Sequence, residues 1–171
     1  MTAQGELIGL FLTDEIPAGL SAEQTADLIH AQGGLVCLPH PADQKRFRTV
    51  LTEEARRTIC DRIDLVEAYN GRTLSLADRE KQASIAEEMG LPTVAGSDAH
   101  TKGELGRTVV LLSDMPCRAS SLPALLKESV LLTAPPLPSA HRKTRWARLW
   151  NLVKRGDLHG IFNIIRRKLS Q

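Results

Sequence analysis

Two short motifs carry side chains of the kinds that bind metal ions. Asp98 and His100 are separated by one residue in the segment GSDAH, so an extended loop would point both side chains to the same side. A carboxylate with an imidazole is a common donor pair for Zn²⁺, Mn²⁺ or Fe ions. His40 lies between Pro39 and Pro41, which disfavour a helix and restrict the backbone. The motifs predict metal binding, and the competing interpretation is an ordinary turn with a solvated histidine.

The apolar runs and helix signals predict strands that alternate with helices. Strands are predicted at 7–12, 35–38, 65–69, 93–95, 109–112 and 130–133. Helices are predicted after Ser21, which has Gln24 at the capping-box position, after Thr52 to about Ile63, and at 76–89 and 122–128. This order is typical of a parallel α/β sheet or barrel, where functional groups gather at the ends of strands. The metal-binding candidates each follow a predicted strand, so we expect them at one edge.

Charge divides the chain into two parts. Residues 1–138 hold 13 Lys/Arg and 19 Asp/Glu, a net charge of −6. Residues 139–171 hold nine Lys/Arg and one Asp, a net charge of +8. We therefore predict a body at 1–134, a stiff Pro-rich linker at 135–138 and a basic tail at 139–171 made of two short amphipathic helices. The apolar stripe of the tail includes Trp146 and Trp150, which suit an acidic membrane surface. Packing of the tail on its own domain fits the pattern equally well.

Composition argues against several classes of protein. Cys37, Cys60 and Cys117 are too widely spaced for a disulfide framework or a zinc motif, and they fit a reducing cytosol. An aromatic content of 4% argues against stacking on single-stranded nucleic acid. The sequence shows no signal-peptide pattern and no apolar run long enough for a bilayer. We expect a cytoplasmic protein, with peripheral membrane binding through the tail as the alternative.

Three segments, LVCLPHP, DLVEAYNGR and LPTVAGSDAHTKGELG, together resemble the polymerase and histidinol phosphatase (PHP) superfamily over about residues 6–112. The last two resemble its PHP-associated C-terminal region. The resemblance implies a distorted seven-stranded β/α barrel that binds two or three metal ions and hydrolyses phosphate esters. It implies that His40 matches the ligand of a His-Pro step, and that Asp98 and His100 match the terminal Asp-x-His ligands. The cofactor would be a divalent ion, Zn, Mn or Fe.

The resemblance also suggests residues around the metal. Arg46 and Arg48 follow His40 where relatives often read Pro-Phe-Asp-Arg, and they are candidates for binding a substrate phosphate. The alternative is that both are solvated loop charges. Glu67 and Asn70 match a Glu-x-Tyr-Asn pattern, which predicts pocket residues that support the ligands rather than bind metal. A purely structural role on the polar side of a strand also suits Glu67.

One feature of the family is absent, because no His-x-His occurs in the sequence and Glu6 does not fit the ligand Glu of the family. We therefore expect the C-terminal part of a PHP domain, a partial (β/α) barrel with basic C-terminal helices, shortened at its N-terminus. Three ligands can hold one ion but not a two-metal clamp. His30, His141 and His159 have no ligand partner at helical spacing, and we assign them no role.

Two functions follow from these expectations. The first is a hydrolase, a metal-dependent phosphoesterase acting on a phosphorylated small molecule or nucleotide and completed by a separate N-terminal half. The second is a catalytically inactive remnant that acts as a binding module, with its basic tail against an acidic membrane surface or a partner. Specific nucleic-acid binding is not expected, because the body is acidic and no base-reading motif is present.

Overall fold

The computed structural model describes residues 1–46, 48–158, 160 and 162, with the backbone alone at Arg148. Its strands are β1 (Ile8–Leu10), β2 (Leu35–Leu38), β3 (Leu65–Asn70), β4 (Thr93–Gly96), β5 (Thr108–Leu111) and β6 (Val130–Thr133). Its α-helices are α1 (Ala22–Ala31), α2 (Glu53–Thr58), α3 (Leu76–Met89), α4 (Leu122–Lys127) and α5 (Pro138–Lys154). The mixed α/β class predicted from the sequence is confirmed.

A four-stranded sheet with the order β1-β2-β3-β4 positions the candidate site. β2, β3 and β4 are mutually parallel, with Leu38 opposite Val66 and Asn70 opposite Gly96. The register of β3 against β4 shifts between Glu67 and Tyr69. Because the three parallel strands end at the same edge, the chain segments that follow them meet there.

The predicted barrel is not formed by the described residues, in which neither sheet is closed. β1 runs antiparallel to β2 at the edge of the first sheet, and β5 and β6 form a separate antiparallel pair. The strand predicted at 7–12 is present at Ile8–Leu10, but it pairs antiparallel to β2 and not parallel as the sequence pattern predicted. Leu7 is buried, but Ile8 is 40% exposed. The continuous apolar run, which is typical of a strand buried on both faces, here belongs to an edge strand with a single neighbour.

Alternating side chains of the parallel strands fill two cores. Val36, Leu38 and Val66 pack with Ile29 of α1 and Ile59 after α2. On the opposite face, a second cluster holds Leu35, Cys37, Leu65, Leu122 and Leu126. Both faces of β2 are covered, and all four of its residues are buried. The polar groups that follow the carboxyl end of β2 are therefore attached to a fully buried strand.

Local signals placed the helix boundaries well. The Ser21–Gln24 capping box is formed, the Thr52 side chain accepts from the backbone N–H of Ala55, and Gly90 ends α3 at a φ of 62°. The second predicted helix is shorter than expected, because α2 ends at Thr58. A 3₁₀ turn at Cys60–Arg62 follows it.

The basic tail begins as one long helix. α5 starts at Pro138, the last residue of the predicted linker, and runs for 17 residues. Ala140 is buried, and the Arg72 guanidinium donates to Thr144 Oγ1 at 3.4 Å, so the first turns pack on the body. The second predicted tail helix, with His159, falls mainly outside the described residues. None of the described helices is both long and apolar enough to cross a bilayer.

Candidate metal and phosphate site

His40 occupies an unusual backbone position directly after β2. Its φ is 29°, in the left-handed region, although the residue before a proline is normally extended. The side chain is buried, and the backbone N–H donates to Glu67 Oε2 at 2.5 Å. The His40 ring nitrogen Nε2 lies 3.3 Å from Glu6 Oε2. A hydrogen bond from His40 is the main cause of a lowered pKa at Glu6, against the opposing effect of burial.

Glu67 is the buried acid that ties the strand ends together. Both of its carboxylate oxygens accept from Asn70 Nδ2 at 3.2 Å. Gly96 of β4 leaves the room for this carboxylate, because a Cβ there would lie 1.7 Å from Glu67 Oε1. Burial raises the pKa of Glu67, and the hydrogen bonds from His40 and Asn70 oppose that rise. Glu67 thus contacts the His40 backbone, and Asn70 contacts Glu67.

Asp98 and His100 follow β4. Asp98 also has a left-handed backbone, with a φ of 47°. His100 Nδ1 lies 2.8 Å from the Asp98 backbone oxygen and 3.5 Å from Asp98 Oδ1. The backbone N–H of His100 donates to Glu104 Oε2 at 3.0 Å. The Asp-x-His motif is therefore a closed turn, not an extended loop, and its two side chains still face each other.

Arg46 joins the segment after β2 to the segment after β4. Its Nε lies 3.2 Å from Asp43 Oδ2, and its Nη2 forms an ion pair with Asp98 Oδ2. Asp43 is buried and is held further by the Thr73 hydroxyl, which donates at 3.2 Å. Arg48 is exposed. The structure thus brings Arg46 into contact with a predicted metal ligand.

The possible metal donors of the site lie close together only in pairs. Two atoms that each lie about 2.1 Å from an ion at a tetrahedral angle are about 3.4 Å apart. The pair of Glu6 with His40 at 3.3 Å and the pair of Asp98 with His100 at 3.5 Å both have this separation. Within the described part of the chain, no three His, Cys, Asp or Glu side chains converge on one point. The donor types suit a divalent ion, but His40 is already hydrogen-bonded to Glu6, and Asp98 already forms an ion pair with Arg46.

Several residues of the site carry no signal in the sequence patterns. Glu6 reaches His40 from 34 positions away, and His141 of α5, to which the sequence assigned no role, lies beside Arg72 and Glu104. Helical spacing detects partners only on the same helix, so it gave no indication that His141 would pack against residues of distant elements. His30, by contrast, pairs with Asp64 on the surface and takes no part in the site.

Arg72 and Glu104 form a buried ion pair at the edge of this site. Arg72 Nη1 lies 3.3 Å from Glu104 Oε2, and both side chains are buried. Burial acts to raise the pKa of Glu104, but hydrogen bonds from His100 and Thr101 and the charge of Arg72 outweigh it, so that the pKa is lowered. The turn that carries His100 is therefore anchored by a charged carboxylate.

This chain is similar to one family model, to an archaeal protein and to solved structures. The family model for the PHP-associated region matches residues 77–129. An uncharacterized protein of Methanocaldococcus jannaschii is 33% identical over 187 residues, covering 99% of this chain and 77% of that protein. The crystal structure of PsfC from Pseudomonas syringae is similar with a TM-score of 0.57 at 17% identity, over 87% of this chain and 62% of that chain. A candidate metal-dependent phosphoesterase from Bifidobacterium adolescentis gives a TM-score of 0.44 at 23% identity, over 68% of this chain and 39% of that chain.

The PHP-associated model agrees with the resemblance carried by the last of the three sequence segments. The archaeal relative matches along nearly the whole chain, and PsfC shares its fold. The chain spans less than two thirds of either solved chain. This chain belongs to the same family as the archaeal protein, and its residues 77–129 match the model of the PHP-associated region.

Proposed function

We propose that this chain contributes to a metal-dependent phosphoesterase site of PHP type, with His40, Asp98 and His100 as ligands of a divalent Zn, Mn or Fe ion. The observation that carries the proposal is that His40 follows β2 and that Asp98 and His100 follow β4, so that all three lie at the same edge of the sheet, on either side of β3. Glu67 connects His40 to the neighbouring strand, and Arg46 connects the His40 segment to Asp98. Because both segments are held by buried acids, the donors are positioned before any ligand arrives.

The ion, when bound, would polarise a phosphoryl oxygen and lower the pKa of a water molecule. The protein groups around it have separate tasks. Glu67 fixes the His40 backbone, and Asn70 holds the Glu67 carboxylate. Arg46, and Arg48 beside it, would bind the negative charge of the substrate phosphate, because guanidinium groups match phosphate geometry.

Three ligands suffice for one ion only. A second ion would need donors from outside the described residues, which a separate N-terminal half of the domain would supply. The substrate we propose is a phosphorylated small molecule or nucleotide, since the site offers positive charge but no surface for stacking a nucleic-acid strand.

Metal titration tests the proposal directly. Chelator-treated protein should bind Zn²⁺ or Mn²⁺ in calorimetry, with an affinity at least tenfold weaker after His40→Ala, which removes a donor, or Asp98→Asn, which removes the negative charge of one. His30→Ala and Asp114→Asn are matched controls, since His30 pairs with Asp64 and Asp114 caps only the Met115 N–H. Hydrolysis of p-nitrophenyl phosphate should follow the same order. Equal metal affinity in all four variants would overturn the ligand assignment.

A second candidate function is supported by the exposed face of α5. Trp146 is 70% exposed and Trp150 60% exposed, and the Lys154 ammonium lies 5.7 Å from the Trp150 ring centroid. Exposed tryptophans on a basic helix suit the interface of an anionic membrane. A binding module of this kind would cosediment with phosphatidylserine vesicles at low salt. Trp146→Ala with Trp150→Ala should abolish cosedimentation, and retention of binding by that variant would refute this function.

A further inference from the structure

A series of buried polar contacts connects His40 to Arg72 through the end of β3. The His40 backbone N–H donates to Glu67, whose carboxylate accepts from the Asn70 side-chain amide at 3.2 Å. Asn70 Oδ1 in turn accepts from the backbone N–H of Arg72 at 2.9 Å. Glu67, Asn70 and Arg72 are all buried. The residue that follows the Asn70-Gly71 turn is therefore held in a fixed position relative to the His40 segment.

The Arg72 guanidinium lies between the body of the protein and α5. Its Nη1 donates to Glu104 Oε2 at 3.3 Å, and its Nη2 donates to Thr144 Oγ1 at 3.4 Å. The Thr144 hydroxyl itself donates to the backbone oxygen of the buried Ala140 at 2.9 Å, so this part of α5 is packed on the body. An arginine presents its donors as a planar fork, which allows it to contact both acceptors in fixed directions.

Glu104 transmits the position of Arg72 to the turn that carries His100. Its Oε2 atom accepts from the backbone N–H of His100 at 3.0 Å and from that of Thr101 at 2.8 Å. The Thr101 hydroxyl donates to the same oxygen at 2.9 Å. The other oxygen, Oε1, is buried and has no hydrogen-bond partner among the described residues. The contacts of Oε2 therefore set the orientation of the carboxylate, and Arg72 supplies the positive charge among them.

Stability alone gives a poor explanation of this buried ion pair. The cost of removing a guanidinium and a carboxylate from water offsets most of their attraction, and apolar side chains of similar volume often stabilise a fold as well. What the pair contributes is direction. One end of it holds the backbone next to a proposed ligand, and the other end contacts α5.

We propose that Arg72 is a positioning residue for His100, and that its guanidinium, held between Glu104 and Thr144, orients the His100 turn through the Glu104 carboxylate. The inference rests on the proposed function, in which His100 is a metal ligand. Arg72 acts through Glu104 and binds neither the ion nor the substrate in this role. The first turns of α5 then support the candidate site, in addition to starting the basic extension of the domain.

Amide hydrogen exchange, followed by NMR on the full chain in chelator, tests the proposal. Arg72→Lys keeps the charge but removes the fork, and it should speed exchange at the His100 and Thr101 amides about tenfold, the effect of losing one hydrogen bond to a charged group. The Val66 amide, which donates to the Pro92 oxygen in the core, is the reference and should change less than about twofold. Equal acceleration at all three amides would give Arg72 a purely structural role, and that result or an unchanged His100 amide overturns the proposal.

Two threonine variants test the contribution of α5. Thr144→Val and Thr58→Val each remove a hydroxyl that donates to the backbone oxygen four residues earlier in a helix. Thr144 also accepts from Arg72, whereas Thr58 is exposed on α2. Thr144→Val should speed exchange at the His100 amide about threefold, because the bond that it removes is long, and Thr58→Val should leave that amide unchanged. Equal effects of the two variants would overturn the role of α5. Circular dichroism checks folding, and Thr144→Val keeps the test valid should Arg72→Lys unfold.

A metal titration of the same samples separates this inference from the proposed function. Faster exchange at His100 together with weaker metal binding by Arg72→Lys supports both. Faster exchange with unchanged metal affinity overturns the positioning role of Arg72, because the ligand would not depend on the turn. If the unchanged protein binds no metal, the phosphoesterase proposal fails, and the exchange rates still decide whether Arg72 orients the His100 turn.

Discussion

Replacement of Gly96 by alanine should displace the acid on which the site is built. A Cβ at position 96 would lie 1.7 Å from Glu67 Oε1 and 3.0 Å from the Glu67 carboxyl carbon. The oxygen is the end of a flexible side chain, but it is held in a buried network. Gly96→Ala must therefore push the carboxylate away from the His40 N–H and the Asn70 amide.

The magnitude follows from the hydrogen bonds that are lost. A hydrogen bond to a charged group contributes roughly 1.5–3 kcal/mol, and Glu67 has two partners, His40 and Asn70. Alanine recovers about 0.5–1 kcal/mol of backbone entropy relative to glycine. We expect a net loss of about 3 kcal/mol in the free energy of unfolding, measured by urea denaturation followed by circular dichroism. Gly103→Ala is the control, because its Cβ would meet nothing within 4 Å, and it should change stability by less than about 0.5 kcal/mol.

A double-mutant cycle isolates the cause. Glu67→Ala alone leaves the His40 N–H without its acceptor, but it also removes the atom with which the Gly96→Ala side chain collides. The double variant should therefore be more stable than the sum of the two single effects predicts, by about 2 kcal/mol. Additive losses, or a Gly96→Ala protein as stable as the Gly103→Ala protein, would refute the packing of Glu67 against Gly96.

Three further predictions concern groups outside this network. Burial raises the pKa of Cys37 to about 12, so that its side chain stays a thiol at pH 8. A thiol reagent should therefore label only the exposed Cys60 and Cys117 in the folded protein, and all three cysteines in urea. Fast labelling of a third thiol without denaturant would contradict this prediction. Ser21→Ala removes the cap of α1 and should cost about 1 kcal/mol in urea unfolding, whereas Ser120→Ala, which has no capping role, should be near neutral. Tyr69→Phe removes the hydroxyl that donates to the Ala134 oxygen at 2.8 Å and should cost about 1 kcal/mol, and an unchanged urea midpoint would show that this bond adds no stability.

The sequence predicted best what is decided locally. The Ser21 and Thr52 caps and the Gly90 helix end were each read correctly, because a cap involves residues only a few positions apart. The placement of His40 and Asp98 after parallel strands was also correct, since those strands alternate with helices. Local patterns thus predicted most elements and the edge of the sheet at which the candidate site lies.

The direction and closure of the sheet could not be read in the same way. A run of apolar residues predicts a strand but not the direction in which that strand runs. The segment Ile8–Leu10 therefore gave no indication that β1 would pair antiparallel to β2. The same holds for contacts between distant elements. Glu6 and His141 reach the site only because the N-terminal segment and α5 pack there, and neither position has a periodic or motif signal.

Backbone strain separates the site from other irregular positions. Three described non-glycine residues have a positive φ, namely Phe11, His40 and Asp98. Such a conformation costs about 1–3 kcal/mol and persists only where surrounding contacts impose it. Phe11 is 40% exposed next to the edge strand, but at His40 the Glu67 carboxylate holds the backbone N–H, and at Asp98 the Arg46 ion pair holds the side chain. The strained geometry at both proposed ligands is therefore stabilised by charged contacts, which is the arrangement expected where side chains must be positioned before a ligand binds.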